Sequence, residues 1–142
     1  MDNKSDSLNL FMAKCRENNL KITPQRTAIY KEFSGACDHP SADLIFKRLR
    51  KKFPHISLDT VNRTLLAFAD IGVAKVVEGY GKPKRFDPDI KNHHHFQCIK
   101  CYRIIDFHDK TYDNINVPSD IRSRLTVLNK KVVLEGICDK CK

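Results

Sequence analysis

His93-His94-His95-Phe96-Gln97-Cys98-Ile99-Lys100-Cys101 runs three histidines into a Cys-x-x-Cys pair, and Cys138-Asp139-Lys140-Cys141 repeats the pair about 36 residues further on. Each such turn presents two sulfurs to one ion, and a fold that joins two turns closes a tetrahedral thiolate site of the kind that holds structural zinc. Cys98, Cys101, Cys138 and Cys141 are therefore the expected ligands of a Zn(II) ion. The alternative for these thiols is a redox couple. The histidines cannot all serve the same ion, so they imply a second metal of different chemistry.

Positions 93 and 95 of a strand point to one face while 94 points away, which makes His93 and His95 the natural ligand pair. Asp106 is expected on the neighbouring strand, and His39 and Asp87 complete a set of nitrogen and oxygen donors. Such a set without thiolate suits an exchangeable Fe(II) or Mn(II) ion better than a locked zinc. Taken one at a time these residues have other uses: Asp87 can cap a turn, Asp106 can pair with a lysine and His39 can lie on the surface. Around the first knuckle, residues 93–99 and 103–107 read as strands, 119–125 as a helix and 127–137 as a strand leading into the second knuckle. Together they predict a small α/β domain closed by zinc.

Residues N-terminal to this domain have a helical period. Leu8, Phe11, Met12 and Cys15 mark one apolar face of a helix over 7–18. Thr23-Pro24 opens a second, with Ala28, Ile29 and Phe33 inward, that runs to Gly35. Ser41 caps a third, with Leu44, Ile45 and Leu49 inward and a basic far side, stopped by Pro54. Ser57-Leu58-Asp59-Thr60 opens a fourth, through Val61, Leu65, Leu66 and Phe68 to Gly72. A strand over 73–78, a turn at Gly79-Tyr80-Gly81 and a returning strand over 84–86 follow.

Helix, turn, helix and hairpin outline a winged helix. Its fourth helix is the candidate recognition helix, bringing Thr60, Asn62 and Arg63 to a DNA groove, with Lys82, Lys84 and Arg85 of the hairpin near phosphate. Arg26 is a further phosphate contact or a solvated charge. Asp87-Pro88-Asp89 reads as a hinge, which divides the chain into a winged-helix DNA-binding domain (1–86), a hinge (87–91) and a dimerisation and metal-binding domain (92–142). The fold class is thus α+β.

The 142 residues carry 26 Lys and Arg against 17 Asp and Glu, a formal charge of +9. That excess fits a polyanionic partner, double-stranded DNA above all, and also a merely solvated basic surface. Aromatic residues are few and not interleaved with basic ones, which disfavours a base-stacking single-strand module. No run approaches the roughly 20 apolar residues of a membrane span, and Met1-Asp2-Asn3-Lys4-Ser5-Asp6-Ser7 lacks a signal-peptide core. A cytoplasmic protein is expected, with Cys15 and Cys37 as ordinary thiols.

Thr23-Pro24-Gln25-Arg26, His39-Pro40-Ser41-Ala42-Asp43, Ser57-Leu58-Asp59-Thr60-Val61, Arg85-Phe86-Asp87, the His93-x-His95-x-x-Cys98-x-x-Cys101 run and Cys138-x-x-Cys141 together resemble the ferric uptake regulator family. The resemblance implies a homodimeric, metal-dependent transcription repressor that binds a palindromic operator. It further implies a structural four-cysteine zinc and a regulatory ion at His39, Asp87, His93, His95 and Asp106. Iron-sensing members usually carry Glu at the position of Asp106, and a further histidine of theirs is replaced by Asn129-Lys130-Lys131, so the resemblance is to the peroxide-sensing branch. In that branch bound Fe(II) reacts with hydrogen peroxide and oxidises a ligand histidine, with His39 and His93 the expected targets.

Asn62 stands where the family usually has Tyr, which places the operator sequence in doubt. The alternative within the family is an iron- or zinc-responsive repressor of uptake genes. A zinc enzyme is not expected, because the four-thiolate site is closed and the deaminase pattern of His-x-Glu with Pro-Cys-x-x-Cys is absent. A zinc module that only binds protein leaves the basic helical half unexplained.

Overall fold

The computed structural model describes residues 3–77 and 84–142. The expected Gly79-Tyr80-Gly81 turn and Lys82 lie outside the described residues. The chain divides into two compact units, Met1–Ile90 and Lys91–Lys142.

Helices α1 (Asn3–Glu17), α2 (Pro24–Ser34), α3 (Ala42–Leu49) and α4 (Leu58–Asp70) build the first unit, followed by the antiparallel strands β1 (Lys75–Val77) and β2 (Arg85–Asp87). Side-chain hydroxyls start three of the helices. Thr23 accepts the Arg26 amide, Ser41 that of Leu44 and Ser57 that of Thr60 at 3.2, 3.3 and 3.0 Å, each satisfying one of the helix's orphan N–H groups. Asn19 turns α1 off with φ 56°, and Gly72 does the same after α4 with φ 84°, a left-handed conformation that glycine adopts without strain.

The core of this unit is assembled from all four helices. Phe11 stacks on Tyr30 at 4.2 Å between ring centroids, and Phe68 meets both edge-on at 5.2 and 6.0 Å. Ile29, Phe33, Ile45, Val61, Leu65 and Phe86 close around them. Leu44, expected inward, is 38 % exposed, because Ile45 and Leu49 already occupy the core side of α3. That helix also stops at Leu49, five residues before Pro54, with the Lys52 and Phe53 amides turning back onto the Leu49 carbonyl.

The second unit holds strands β3 (His94–Cys98), β4 (Ile104–Phe107) and β5 (Val133–Gly136) in the order β4-β3-β5, with short helices α5 (Lys110–Asp113) and α6 (Ser119–Arg124) between β4 and β5. β3 pairs antiparallel with β4 and parallel with β5. The strand expected over 127–137 is reduced to four residues. Among the described residues it pairs with β3 alone, and the register from His95↔Val133 to Cys98↔Gly136 ends where β3 ends. The helix α5 escaped the sequence reading, although Asp109 caps it by accepting the Thr111 and Tyr112 amides.

An N-terminal winged helix followed by a small α/β unit with clustered cysteines is the architecture of the chain. Among the described residues no helix is long and apolar enough to cross a membrane.

Candidate metal centres and nucleic-acid interface

Cys98 is the last residue of β3, and its carbonyl accepts the Tyr102 amide to form a tight turn that presents Cys101. The second knuckle closes one residue sooner, with the Cys141 amide on the Cys138 carbonyl at 3.1 Å. The four sulfurs all lie within 4.8 Å of one another, and the Cys101 and Cys138 sulfurs are 3.7 Å apart. That spacing is the edge of a tetrahedron whose metal–sulfur bonds are about 2.3 Å, the zinc–thiolate distance.

The electrostatics of the cluster have the same demand. Amide donors from Cys101 and Cys138 hold the Cys98 thiol down to about 6. Cys141, facing the Cys138 and Cys101 sulfurs, is pushed up to about 12. Four adjacent thiolates form together only around a cation, so the donor set fits a metal.

The oxygen and nitrogen donors fall into two half-sets, one in each unit. In the first unit His39 sits between α2 and α3 with φ 49°. Arg85 of β2 fixes that unusual backbone: its Nε donates to the His39 carbonyl at 2.7 Å and its Nη2 to that of Asp38 at 2.5 Å. The Phe86 amide bonds the Pro40 carbonyl at 3.0 Å, so β2 grips the loop on both sides of the histidine ring. Asp87 ends β2, outside the hinge expected there, with its carboxylate 3.5 Å from His39 Nε2; both side chains are buried. Arg85 was expected beside phosphate, and its guanidinium is instead engaged with backbone carbonyls.

In the second unit, His93 and His95 bring their Nε2 atoms to 3.0 Å. Asp106 lies opposite His95 in the β3–β4 register, and its Oδ1 stands 3.0 Å from His95 Nε2 and 3.6 Å from His93 Nε2. His93 Nδ1 contacts the Lys91 carbonyl at 2.7 Å, which makes Nδ1 the protonated nitrogen and leaves the lone pair on Nε2. Donors about 2.1 Å from one ion at adjacent coordination positions stand at such separations, so this half-set also fits a metal.

His94 does not project into solvent as a residue pointing away from the ligand pair would. It is fully buried, with Nε2 at 2.7 Å from Asp113 Oδ1 and Nδ1 accepting the Val132 amide at 3.1 Å. Of the remaining thiols, Cys15 is buried in the helical core and Cys37 is exposed.

The candidate DNA contacts divide between two sides of α4. Arg26, Thr60 and Arg63 line a hollow of about 390 Å³ together with Lys21, Thr23 and Gln25. Asn62 lines a different groove, with Asp43, Leu58, Asp59 and Lys84. Arg63 is paired with Asp59 one turn earlier, Nε to Oδ2 at 2.8 Å, and Arg26 donates to the Lys21 carbonyl at 2.6 Å.

The sequence profile of the ferric uptake regulator family matches residues 17–132. The chain belongs to the ferric uptake regulator family. Among family relatives, the peroxide-responsive repressor PerR of Staphylococcus epidermidis is 35 % identical over 131 residues, covering 92 % of this chain and 87 % of the relative. PerR of Streptococcus pyogenes, whose structure is described as a basis for peroxide sensing and gene regulation, superposes with a TM-score of 0.56 at 26 % identity, over 96 % of this chain and 93 % of that one. The Helicobacter pylori ferric uptake regulator shares the fold, with a TM-score of 0.78 at 20 % identity over 98 % and 93 % of the two chains. Membership of this family, with two donor sets that fit metals, supports a metal-responsive repressor.

Proposed function

We propose that this family member is a dimeric, cytoplasmic repressor that binds a palindromic DNA operator when loaded with Fe(II) or Mn(II), and that it senses peroxide. The observation that carries the reading is the convergence of His93, His95 and Asp106 on one point of the β3–β4 sheet, with no thiolate among them. The peroxide-responsive repressors among its relatives support the same assignment.

In this reading His39 and Asp87 join His93, His95 and Asp106 around the regulatory ion, while Cys98, Cys101, Cys138 and Cys141 hold Zn(II). Fe(II), when bound, would supply the electrons that reduce hydrogen peroxide, and the imidazoles of His39 and His93 would be the groups placed to take up oxygen. The chain's own part is positional. The Lys91 carbonyl fixes the tautomer of His93, Arg85 fixes the loop of His39, and oxidation of either ring removes the nitrogen lone pair that ligation needs. Loss of that ligand is expected to release DNA.

Arg26, Thr60, Asn62 and Arg63 are the proposed DNA contacts. The Arg26–Thr60–Arg63 hollow, lined also by Lys21, suits phosphate, and Asn62 suits a hydrogen-bonding base edge. The second unit supports the dimer, since Ile105, Leu125, Leu128, Leu134 and Ile137 are exposed, an apolar surface of the kind that a second copy covers.

The test uses duplexes selected from a randomised pool by Mn(II)-loaded protein. Fe(II)-loaded protein is expected to lose binding on brief exposure to peroxide, with a single added oxygen on peptides containing His39 or His93. Mn(II)-loaded protein is expected to keep both its binding and its mass. Equal survival of binding in the two forms refutes peroxide sensing and leaves the iron- or zinc-responsive uptake repressor.

A further inference from the structure

The middle histidine of the run has no place in either metal set, yet it is as fully enclosed as its two neighbours. His94 is 0 % exposed, at the start of β3 and between the two residues proposed as ligands. Its ring is held at both nitrogens. The Val132 amide can only donate, so Nδ1 accepts and carries the lone pair; Nε2 then carries the proton and donates it to Asp113 Oδ1 at 2.7 Å.

Each partner is itself fixed. Val132 accepts the His95 amide at 3.1 Å, so one residue bonds the ring of His94 and the backbone of its neighbour, immediately before β5. Asp113 closes α5, with its amide on the Asp109 carbonyl at 3.0 Å, and it also receives the Asn92 side-chain amide at 3.4 Å. Phe107 and Tyr112 wall the ring at 5.6 and 5.8 Å between centroids. The ring itself is shut off from water, and it meets the Asp113 carboxylate at the solvent edge, where that side chain is 41 % exposed.

We infer that His94 is a positioning residue for the metal pair: a neutral imidazole, clasped between Asp113 and Val132, that pegs the far face of β3 and thereby sets His93 and His95 toward Asp106. Residues 92 and 94 both bond Asp113 and residues 94 and 95 both bond Val132, so the backbone on each side of the two ligands is anchored. This inference rests on the proposed role of His93 and His95 as ligands. Outer partners of this type govern metal affinity by fixing ligand orientation.

The experiment measures Mn(II) affinity, zinc content and the Co(II) ligand-field spectrum of the full chain, and compares Asp113→Ala, Asp113→Asn and His93→Ala. Asp113→Ala is expected to weaken Mn(II) binding roughly 10- to 100-fold and to shift the Co(II) bands, with zinc retained. Asp113→Asn keeps an oxygen acceptor for Nε2–H and is expected to bind Mn(II) nearly as the parent does. Unchanged affinity and spectrum in Asp113→Ala, even with a lower melting temperature, overturns the inference. His93→Ala separates the two readings: if it binds Mn(II) like the parent, the ligand assignment has failed and the inference falls with it. Nitrogen-15 spectra of the unsubstituted protein give a readout that needs no variant. A proton on Nε2 of His94 supports the clasp, and one on Nδ1 overturns it.

Discussion

Ser57 illustrates how much one side chain can do at a helix start. Its hydroxyl accepts the Thr60 amide at 3.0 Å and donates to the Thr60 hydroxyl at 2.9 Å, ordering the first turn of α4, on which Thr60, Asn62 and Arg63 of the proposed DNA contacts stand. Ser57→Ala is expected to cost about 1 kcal/mol of stability in urea titration. Asp106 carries a different kind of constraint, one of reach. The register fixes it opposite His95, so Asp106→Glu inserts one carbon between β4 and the carboxylate without moving the strand. Its expected effect is slower oxidation of the Fe(II)-loaded protein by peroxide, read by mass spectrometry, with Mn(II)-dependent DNA binding kept. A protein oxidised as fast as the parent would show that the carboxylate's position does not set peroxide reactivity.

At the scale of elements, α1, α2 and α4 meet through three rings, and Phe68 touches both of the others from a fully buried position. Phe68→Ala is expected to lose about 3–5 kcal/mol, measured by chemical denaturation. Elements like these were legible from the amino-acid order because their signals are local: hydroxyl caps at Thr23, Ser41 and Ser57 and apolar residues at helical spacing. The limits of β5 were not legible. A run of β-formers at 127–137 marks where a strand can form, but its true length is set by the five residues of β3, far away in the chain. The same reasoning divides the site. Cysteine and histidine spacing pointed to both donor sets, whereas the burial of His94 depends on Asp113 and on Val132, which no spacing rule connects. The position of Arg85 against the loop of His39 was equally hidden, since the two residues stand 46 positions apart in the chain.

For the molecule as a whole, the two units are expected to depend on metal to different degrees. The first has a core drawn from four helices, while the second has three short strands and exposes Leu125, Leu128 and Ile137. Zinc removal by a chelator is therefore expected to abolish amide protection in β3 and β5 while leaving that of α2 and α4 in place, as read by hydrogen exchange. Equal loss in both units would show that they fold as one. The formal charge of +9 predicts a second global property, a steep fall of DNA affinity with added salt, measured as the slope of log K against log salt. The parallel pairing of β3 with β5 sets an order of events during synthesis. His95 is hydrogen-bonded to Val132, and the thiols at 98 and 101 are completed by those at 138 and 141. A nascent chain that has released the run from His93 to Cys101 therefore cannot seat His95 against Val132, or complete its four-thiol set, until some forty further residues have left the ribosome.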